Sequence, residues 1–131
     1  MESLKENLNE VFIKLDVLGY TINNRSIFYF SLTDIKNTNQ TENLPIMLFT
    51  GVHHAREPLS LSMNLYLLGK ILFDYYHNDQ NIKEILSNTM LIFIPALNVD
   101  GYEFINEIYE KNYTLNLDIR KNRRKFPNCH E

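Results

Sequence analysis

The stretch PIMLFTGVHHAREPLS, residues 45–60, places two histidines, an arginine and a glutamate directly behind a short apolar run. The apolar run at residues 45–50 predicts a buried β-strand, and Pro58 suits the first turn of a following helix. Apolar side chains recur from Leu59 to about Tyr76, which predicts a long, heavily buried helix. A strand that leads into a helix is typical of α/β folds, in which ligand sites collect where strands end.

Two further elements extend this pattern downstream. Asp79 is expected to cap a second, shorter helix that runs through Leu86. The run TMLIFIP, residues 89–95, is so apolar that it predicts a strand covered on both faces. The helical crossover between the two strands is long enough for parallel pairing, and residues 46–50 and 91–95 are expected to be interior strands.

The upstream third of the chain predicts one more helix and one more strand. Leucines and other apolar residues recur at helical spacing over residues 3–17, which predicts an amphipathic helix that stops near Gly19. The run RSIFYFSL, residues 25–32, is rich in β-branched and aromatic residues and predicts a strand, followed by a polar loop at residues 34–43. The predicted fold class is therefore α/β, with a mixed, mainly parallel sheet flanked by helices.

Length and composition support one small domain with a true core over residues 1–131, because 44% of the residues are hydrophobic and 12% aromatic. A formal net charge of -3 gives no general field for nucleic acid, so no nucleic-acid partner is expected. The single cysteine, Cys129, cannot form an internal disulfide. Neither a signal peptide nor a membrane-spanning apolar run is visible, so no membrane association is expected, while cellular location and oligomeric state stay open.

His54 and Glu57 are the first candidates for a metal site. Their spacing of three residues, on a turn or at a helix start, points both side chains the same way. An imidazole nitrogen and a carboxylate oxygen are ligands that Zn²⁺ accepts. The same spacing also occurs in ordinary polar clusters at helix starts, and the pair alone does not distinguish the two interpretations.

Three blocks of sequence, in order, resemble the zinc metallocarboxypeptidases. G-V-H-H-A-R-E at residues 51–57 is similar to their zinc-binding signature. N-V-D-G-Y-E at residues 98–103 is similar to their N-P-D-G-Y-E turn, with Val99 in place of the usual proline, and R-K-N-R at residues 120–123 matches the block that follows. A looser likeness begins near residue 18. The chain thus resembles the N-terminal portion of a carboxypeptidase A-like catalytic domain, truncated after the third block.

This resemblance implies a role for each of four residues. His54 and Glu57 correspond to two ligands of one Zn²⁺ ion, and Arg120 corresponds to the arginine that polarises the scissile carbonyl and stabilises the oxyanion. Arg56 corresponds to a contact for substrate further along the peptide. The implied reaction is removal of C-terminal residues from a peptide or protein by metal-activated water.

The resemblance also implies that this chain alone is inactive. In the family the third zinc ligand, the catalytic glutamate and the carboxylate-binding pair follow the R-K-N-R block, whereas this sequence ends at Glu131. Two protein ligands make a weak zinc site, since catalytic zinc usually has three. The alternative is a catalytically inactive remnant or a peptide-binding module on the same scaffold.

Other polar residues receive structural interpretations. His53 is expected to be a polar residue at a strand end, and His77 to cap the long helix, where an imidazolium favours the dipole. Residues 98–101 are expected to form a scaffolding turn. The basic cluster at residues 120–125 is, without the resemblance, a solvated charged face or a weak polyanion patch. Residues 129–131 have ligand chemistry but are expected to fray.

Overall fold

The computed structural model describes residues 11–34, 43–111 and 120–123. Four strands and three helices follow one another in the order β1 (Val11–Tyr20), β2 (Ser26–Asp34), β3 (Ile46–Thr50), α1 (Leu59–Tyr76), α2 (Gln80–Asn88), β4 (Met90–Ile94) and α3 (Val99–Glu110). No described helix has the length and apolarity needed to cross a membrane.

The strands form one mixed sheet in the order β1-β2-β4-β3. β3 and β4 pair in parallel through the crossover formed by α1 and α2, whereas β1 with β2 and β2 with β4 pair antiparallel. The mixed α/β architecture predicted from the sequence is confirmed. Among the described strands, parallel pairing is confined to β3 and β4, so the prediction of a mainly parallel sheet is wrong for the described part of the chain.

β4 has the interior position that its apolarity predicted, since it lies between β2 and β3 and buries Leu91 and Phe93. The same prediction for residues 46–50 is wrong for the described chain, because β3 lies at the edge of the sheet. Ile46 and Leu48 remain 62% and 57% exposed there. Apolarity alone identified both strands but not their places in the sheet, which depend on strands from elsewhere in the chain.

The predicted helix over residues 3–17 is wrong from residue 11 onward, where β1 runs instead; residues 1–10 lie outside the described residues. β1 and β2 form a long antiparallel hairpin from Val11 opposite Asp34 to Tyr20 opposite Ser26, with an irregularity between Val17 and Gly19. This pairing satisfies the backbone groups that β1 turns toward β2, a long-range contact that overrides the local helical spacing.

The predicted helix starting near Pro58 is confirmed as α1, but it is not buried all round. Asn64, Leu68, Ile71 and Tyr75 form its buried face, while Met63 and Phe73 are more than half exposed. The core combines that face with other buried side chains: Leu32, Leu86, Leu91 and Phe93. α1 is thus amphipathic, with one face on the sheet.

The helix ends follow the predicted capping chemistry. The Asp79 carboxylate accepts hydrogen bonds from the backbone N–H groups of Asn81 and Ile82 at the start of α2, which continues to Asn88. His77 ends α1, and its ring nitrogen Nδ1 lies 2.8 Å from the Phe73 carbonyl oxygen. The expected turn at residues 98–101 is the first turn of α3, a helix that the sequence interpretation did not predict.

Candidate functional site

The chain segments that follow β3 and β4 lie very close together and form the base of the site. The N–H of Gly51, just after β3, donates to Ile94 O at 2.9 Å, and its carbonyl accepts from the N–H of Leu97 at 3.0 Å. A Cβ atom at Gly51 would collide with the Pro95 carbonyl oxygen and would lie 2.9 Å from that of Ser60. Only glycine therefore lets the segments after β3 and β4 approach this closely.

Val52 turns the chain sharply away from β3. It adopts φ 47° although it is β-branched and fully buried, a conformation that costs energy. Two hydrogen bonds hold it there: its N–H donates to Ser60 Oγ at 2.8 Å, and its carbonyl accepts from the N–H of Asn98 at 2.9 Å. The strained turn therefore positions the two histidines that follow directly.

His54 and Glu57 face each other across one turn at the entrance to α1. The Nδ1 atom of His54 lies 2.9 Å from Oε2 of Glu57, and the Glu57 N–H donates to the His54 carbonyl at 3.1 Å. The hydrogen bond from His54 lowers the pKa of the Glu57 carboxyl, with smaller contributions from nearby Arg120 and Arg56.

The donor types of this pair, an imidazole nitrogen and a carboxylate oxygen, are ones that zinc accepts. Two ligands of a tetrahedral zinc lie roughly 3.3 Å apart, because each bond is about 2.0–2.1 Å long. The 2.9 Å separation of His54 Nδ1 and Glu57 Oε2 is a hydrogen-bond distance, so the two side chains would have to move slightly apart to hold an ion. Within residues 11–34, 43–111 and 120–123, no group of three His, Cys, Asp or Glu side chains could hold a metal. A complete site therefore needs a ligand from outside the described residues.

Arg120 reaches the same point from a segment far along the chain. Its Nη2 atom lies 3.2 Å from Nε2 of His54, the ring nitrogen opposite the one that faces Glu57. Since a guanidinium only donates, Nε2 is the acceptor in this contact, and Nδ1 is left to donate to Glu57. Three of the four predicted site residues thus converge.

Asn98 connects the parts of the site. Its Oδ1 accepts from the N–H of Gly101 at 3.1 Å and so caps α3, while its Nδ2 lies 3.4 Å from the carbonyl oxygens of both His53 and Arg120. The N–H of Ala55 also donates to the Arg120 carbonyl at 3.4 Å. The scaffolding role expected for residues 98–101 is therefore performed by a buried side chain that joins three segments.

Arg56 borders a different groove, although its charge still acts on Glu57. It borders a smaller groove formed with Pro58 and side chains of α3, including Tyr102 and Tyr109. The larger cleft, of about 540 Å³, contains His54 and Arg120 in its walls. His53 also borders that cleft, and its Nε2 lies 2.8 Å from the Thr50 hydroxyl at the end of β3. Residues 129–131 lie outside the described residues.

Sequence interpretation missed an ion pair at the far side of the cleft. Arg25 Nη1 lies 2.9 Å from Oδ1 of the buried Asp100, which also accepts from the hydroxyl of Thr21 at 2.8 Å. The usable signal was the acidic residue in the first turn of α3, where a carboxylate also suits the helix dipole. Its partner Arg25 lies 75 positions earlier in the chain, and no local sequence pattern marks it as the partner of Asp100.

The similarities of the chain to known proteins agree with this geometry. The model of the zinc carboxypeptidase family matches residues 1–130. A protein of Schizosaccharomyces pombe named inactive metallocarboxypeptidase ecm14 is 30% identical over an alignment of 118 residues, which covers 86% of this chain and 23% of the relative. A protein of Saccharothrix mutabilis subsp. capreolus named zinc carboxypeptidase is 33% identical over 92 residues, covering 70% of this chain and 20% of the relative.

A solved structure shows the same fold. The crystal structure of carboxypeptidase A from Helicoverpa armigera superposes with a TM-score of 0.65 and 25% identity, over 94% of this chain and 26% of that one. The chain therefore spans about a quarter or less of the length of these relatives. Because the family model matches almost every residue and the three sequence blocks meet at one strand end, this chain belongs to the zinc carboxypeptidase family.

Proposed function

We propose that residues 1–131 form the N-terminal portion of the catalytic domain of a zinc-dependent metallocarboxypeptidase, which removes C-terminal residues from peptides. The observation that carries the proposal is the convergence of His54, Glu57 and Arg120 at the end of β3. These residues come from two segments 66 positions apart in the chain, and their chemistry matches a metal centre beside a cation.

Each residue has a distinct role in this proposal. His54 Nδ1 and Glu57 Oε2 would hold one Zn²⁺ ion, which would take the place of the proton and of the hydrogen bond between them. Bound zinc supplies an activated water near neutral pH. The guanidinium of Arg120 donates hydrogen bonds to the carbonyl oxygen as negative charge develops on it. Arg56, on the adjoining groove, contacts the peptide further from the bond that is cut.

The described residues supply part of the machinery. A third ligand is needed, because catalytic zinc sites generally use three protein ligands. A carboxylate must also act as general base, and a further arginine must bind the terminal carboxylate of the substrate. We expect the 131-residue chain by itself to bind zinc weakly and to hydrolyse no peptide.

One observation favours a second function. A relative that is 30% identical bears the name inactive metallocarboxypeptidase, and the described residues provide two metal ligands where catalysis needs three. The scaffold would then bind peptides in the cleft beside His54 without cutting them.

The deciding experiment assays two proteins side by side: the 131-residue chain and the longest in-frame product that contains it. Release of the C-terminal residue from an N-blocked dipeptide is measured with added zinc and with a chelator. We expect zinc-dependent release by the longer product, abolished by Glu57→Ala, and none by the shorter chain.

The second function predicts a different result. Peptide binding without zinc-dependent release, in the longer product, would overturn the enzymatic proposal and support the binding module. If the longest product is the 131-residue chain itself, absence of zinc-dependent release by that chain would also overturn the enzymatic proposal. Release that survives both the chelator and Glu57→Ala would exclude a zinc mechanism through this site.

A further inference from the structure

Three cationic side chains, Arg120, Lys121 and Arg123, line the cleft beside His54. No carboxylate of the described residues forms an ion pair with any of the three. Asp100 is the single acidic residue among the described residues of the lining, and it is 4% exposed and paired with Arg25. Glu57, outside the lining, interacts with Arg120, so the excess positive charge of the cleft comes chiefly from Lys121 and Arg123, although the whole chain carries a net charge of -3.

Aliphatic side chains line another part of the same cleft, contributed by Ile22, Ile27, Leu97 and Val99. Ile22 is 61% exposed and Leu97 is 36% exposed, so apolar surface is available to a ligand. A site with both basic and aliphatic lining fits an extended peptide, because successive side chains of an extended chain point to opposite sides. One side chain can meet the cations while its neighbour meets the aliphatic surface.

We propose that this cleft selects peptides that carry an acidic residue next to an apolar one. The inference rests on the proposed function only in taking a peptide as the occupant, and it names the class of peptide. Complementary charge favours such ligands over neutral ones, both in the rate of encounter and in binding. Lys121 and Arg123 provide this selectivity, alongside Arg120 at His54.

A nucleic acid would also be attracted by positive charge, but the lining disfavours it. Binding of single strands relies on aromatic rings on which bases stack. None of the described residues that line the cleft is Phe, Tyr or Trp. The Phe104 ring lies under the Arg123 guanidinium, 3.9 Å from ring centroid to Cζ, and it is therefore covered by that cation.

The size of the effect follows from the exposure of the cations. Lys121 is exposed and Arg123 half-buried, so screening by water limits each contact. Contacts of this kind change affinity by up to about fivefold each at low salt. Both contacts weaken as added salt shortens the range of the field.

The test measures binding of labelled peptides to the 131-residue chain by fluorescence anisotropy, in a chelating buffer without zinc. Two peptides differ only by Glu or Gln beside a leucine near a free C-terminus. We expect the Glu peptide to bind about fivefold more tightly at low salt, and the difference to shrink in Lys121→Gln, in Arg123→Gln and at high salt. Lys83→Gln removes the same charge from α2, outside the cleft lining, and should leave the difference unchanged.

Circular dichroism confirms that each variant is folded before its affinity is compared. Equal affinities for the Glu and Gln peptides would overturn the inference, as would tighter binding of a single-stranded oligonucleotide than of the acidic peptide. Because zinc is absent throughout, failure of zinc binding or of peptide release would refute the proposed function and leave this result standing. Conversely, an active enzyme without the Glu preference would refute only the present inference.

Discussion

Arg25 Nη1 lies 2.9 Å from Oδ1 of Asp100, an ion pair that joins the turn between β1 and β2 to the first turn of α3. The Asp100 carboxylate also accepts from the Thr21 hydroxyl at 2.8 Å and the Asn23 N–H at 3.3 Å. Burial by itself would raise the pKa of Asp100, but these donors outweigh it and lower the pKa. Thr21 and Asp100 both line the cleft, so this pair fixes one of its walls.

Replacing Asp100 by Asn should lower the free energy of unfolding by about 1–3 kcal/mol at pH 7, because charge-assisted bonds to a buried group are lost. The folded-state pKa is lowered, so this stabilisation is present above the unfolded pKa of about 4 and is lost as the pH falls through the folded value. Urea denaturation at neutral and acid pH measures both effects.

Asp16→Asn is the matched control, because its pair with Lys14 is exposed. It should change stability little. Equal losses in the two variants, or a loss in Asp100→Asn that persists undiminished at acid pH, would contradict the assignment.

Gly51→Ala should destabilise the protein by roughly 2 kcal/mol or more, because the added methyl group meets backbone atoms of Pro95 and Ser60 that cannot move aside freely. Gly69→Ala, within α1, has no atom within 4 Å of the new methyl group and should stabilise by about 0.5–1 kcal/mol. If the segments after β3 and β4 approach as closely as described, the urea midpoint should fall in Gly51→Ala and rise in Gly69→Ala, relative to the unaltered chain. A tolerated Gly51→Ala would show that the two segments are further apart.

Zinc affinity of the 131-residue chain should be weak and should fall by at least about tenfold in His54→Ala or Glu57→Ala, since loss of a ligand costs no less than loss of a supporting contact. His77→Ala removes a histidine whose Nδ1 lies 2.8 Å from the Phe73 carbonyl, and it should leave the affinity unchanged. Competition with a chromophoric chelator measures the zinc affinity of the unaltered chain and of the three variants. Tight one-to-one binding by the unaltered chain would show that a residue outside the described ones completes the site, with His130 the first to examine.

Asn98→Ala should cost about 1–3 kcal/mol, because it removes a helix cap and the amide that lies 3.4 Å from the His53 and Arg120 carbonyl oxygens. Asn98→Ser should recover part of this loss, since serine can cap α3 but has no amide to reach Arg120. In both variants the amide of Ala55, which donates to the Arg120 carbonyl, should exchange its hydrogen faster. The Lys83 amide, bonded to Asp79 O in α2, is the reference; equal acceleration at both would indicate global loosening and no specific link to Arg120.

Local sequence determined most elements of this fold. The unbroken apolar run of β4, the spacing along α1 and the Asp79 cap act over a few residues, and each was read correctly. The His54 and Glu57 pair belongs to this class as well, because a separation of three residues in a turn fixes their approach. The order of the three blocks that resemble zinc carboxypeptidases was sufficient to identify the family.

Contacts between distant segments decided the rest. Residues 11–17 carry helical spacing, yet pairing with β2 makes them a strand, because the sheet satisfies their backbone groups. Arg56 is two positions from His54 in sequence but borders a different groove, whereas Arg120 reaches His54 from 66 positions away. Side-chain direction at the end of β3 depends on the strained turn at Val52, and that turn is held by Ser60 and Asn98. Local periodicity carries no information about such partners, so only the tertiary structure could show which cations share the cleft with the candidate metal ligand His54.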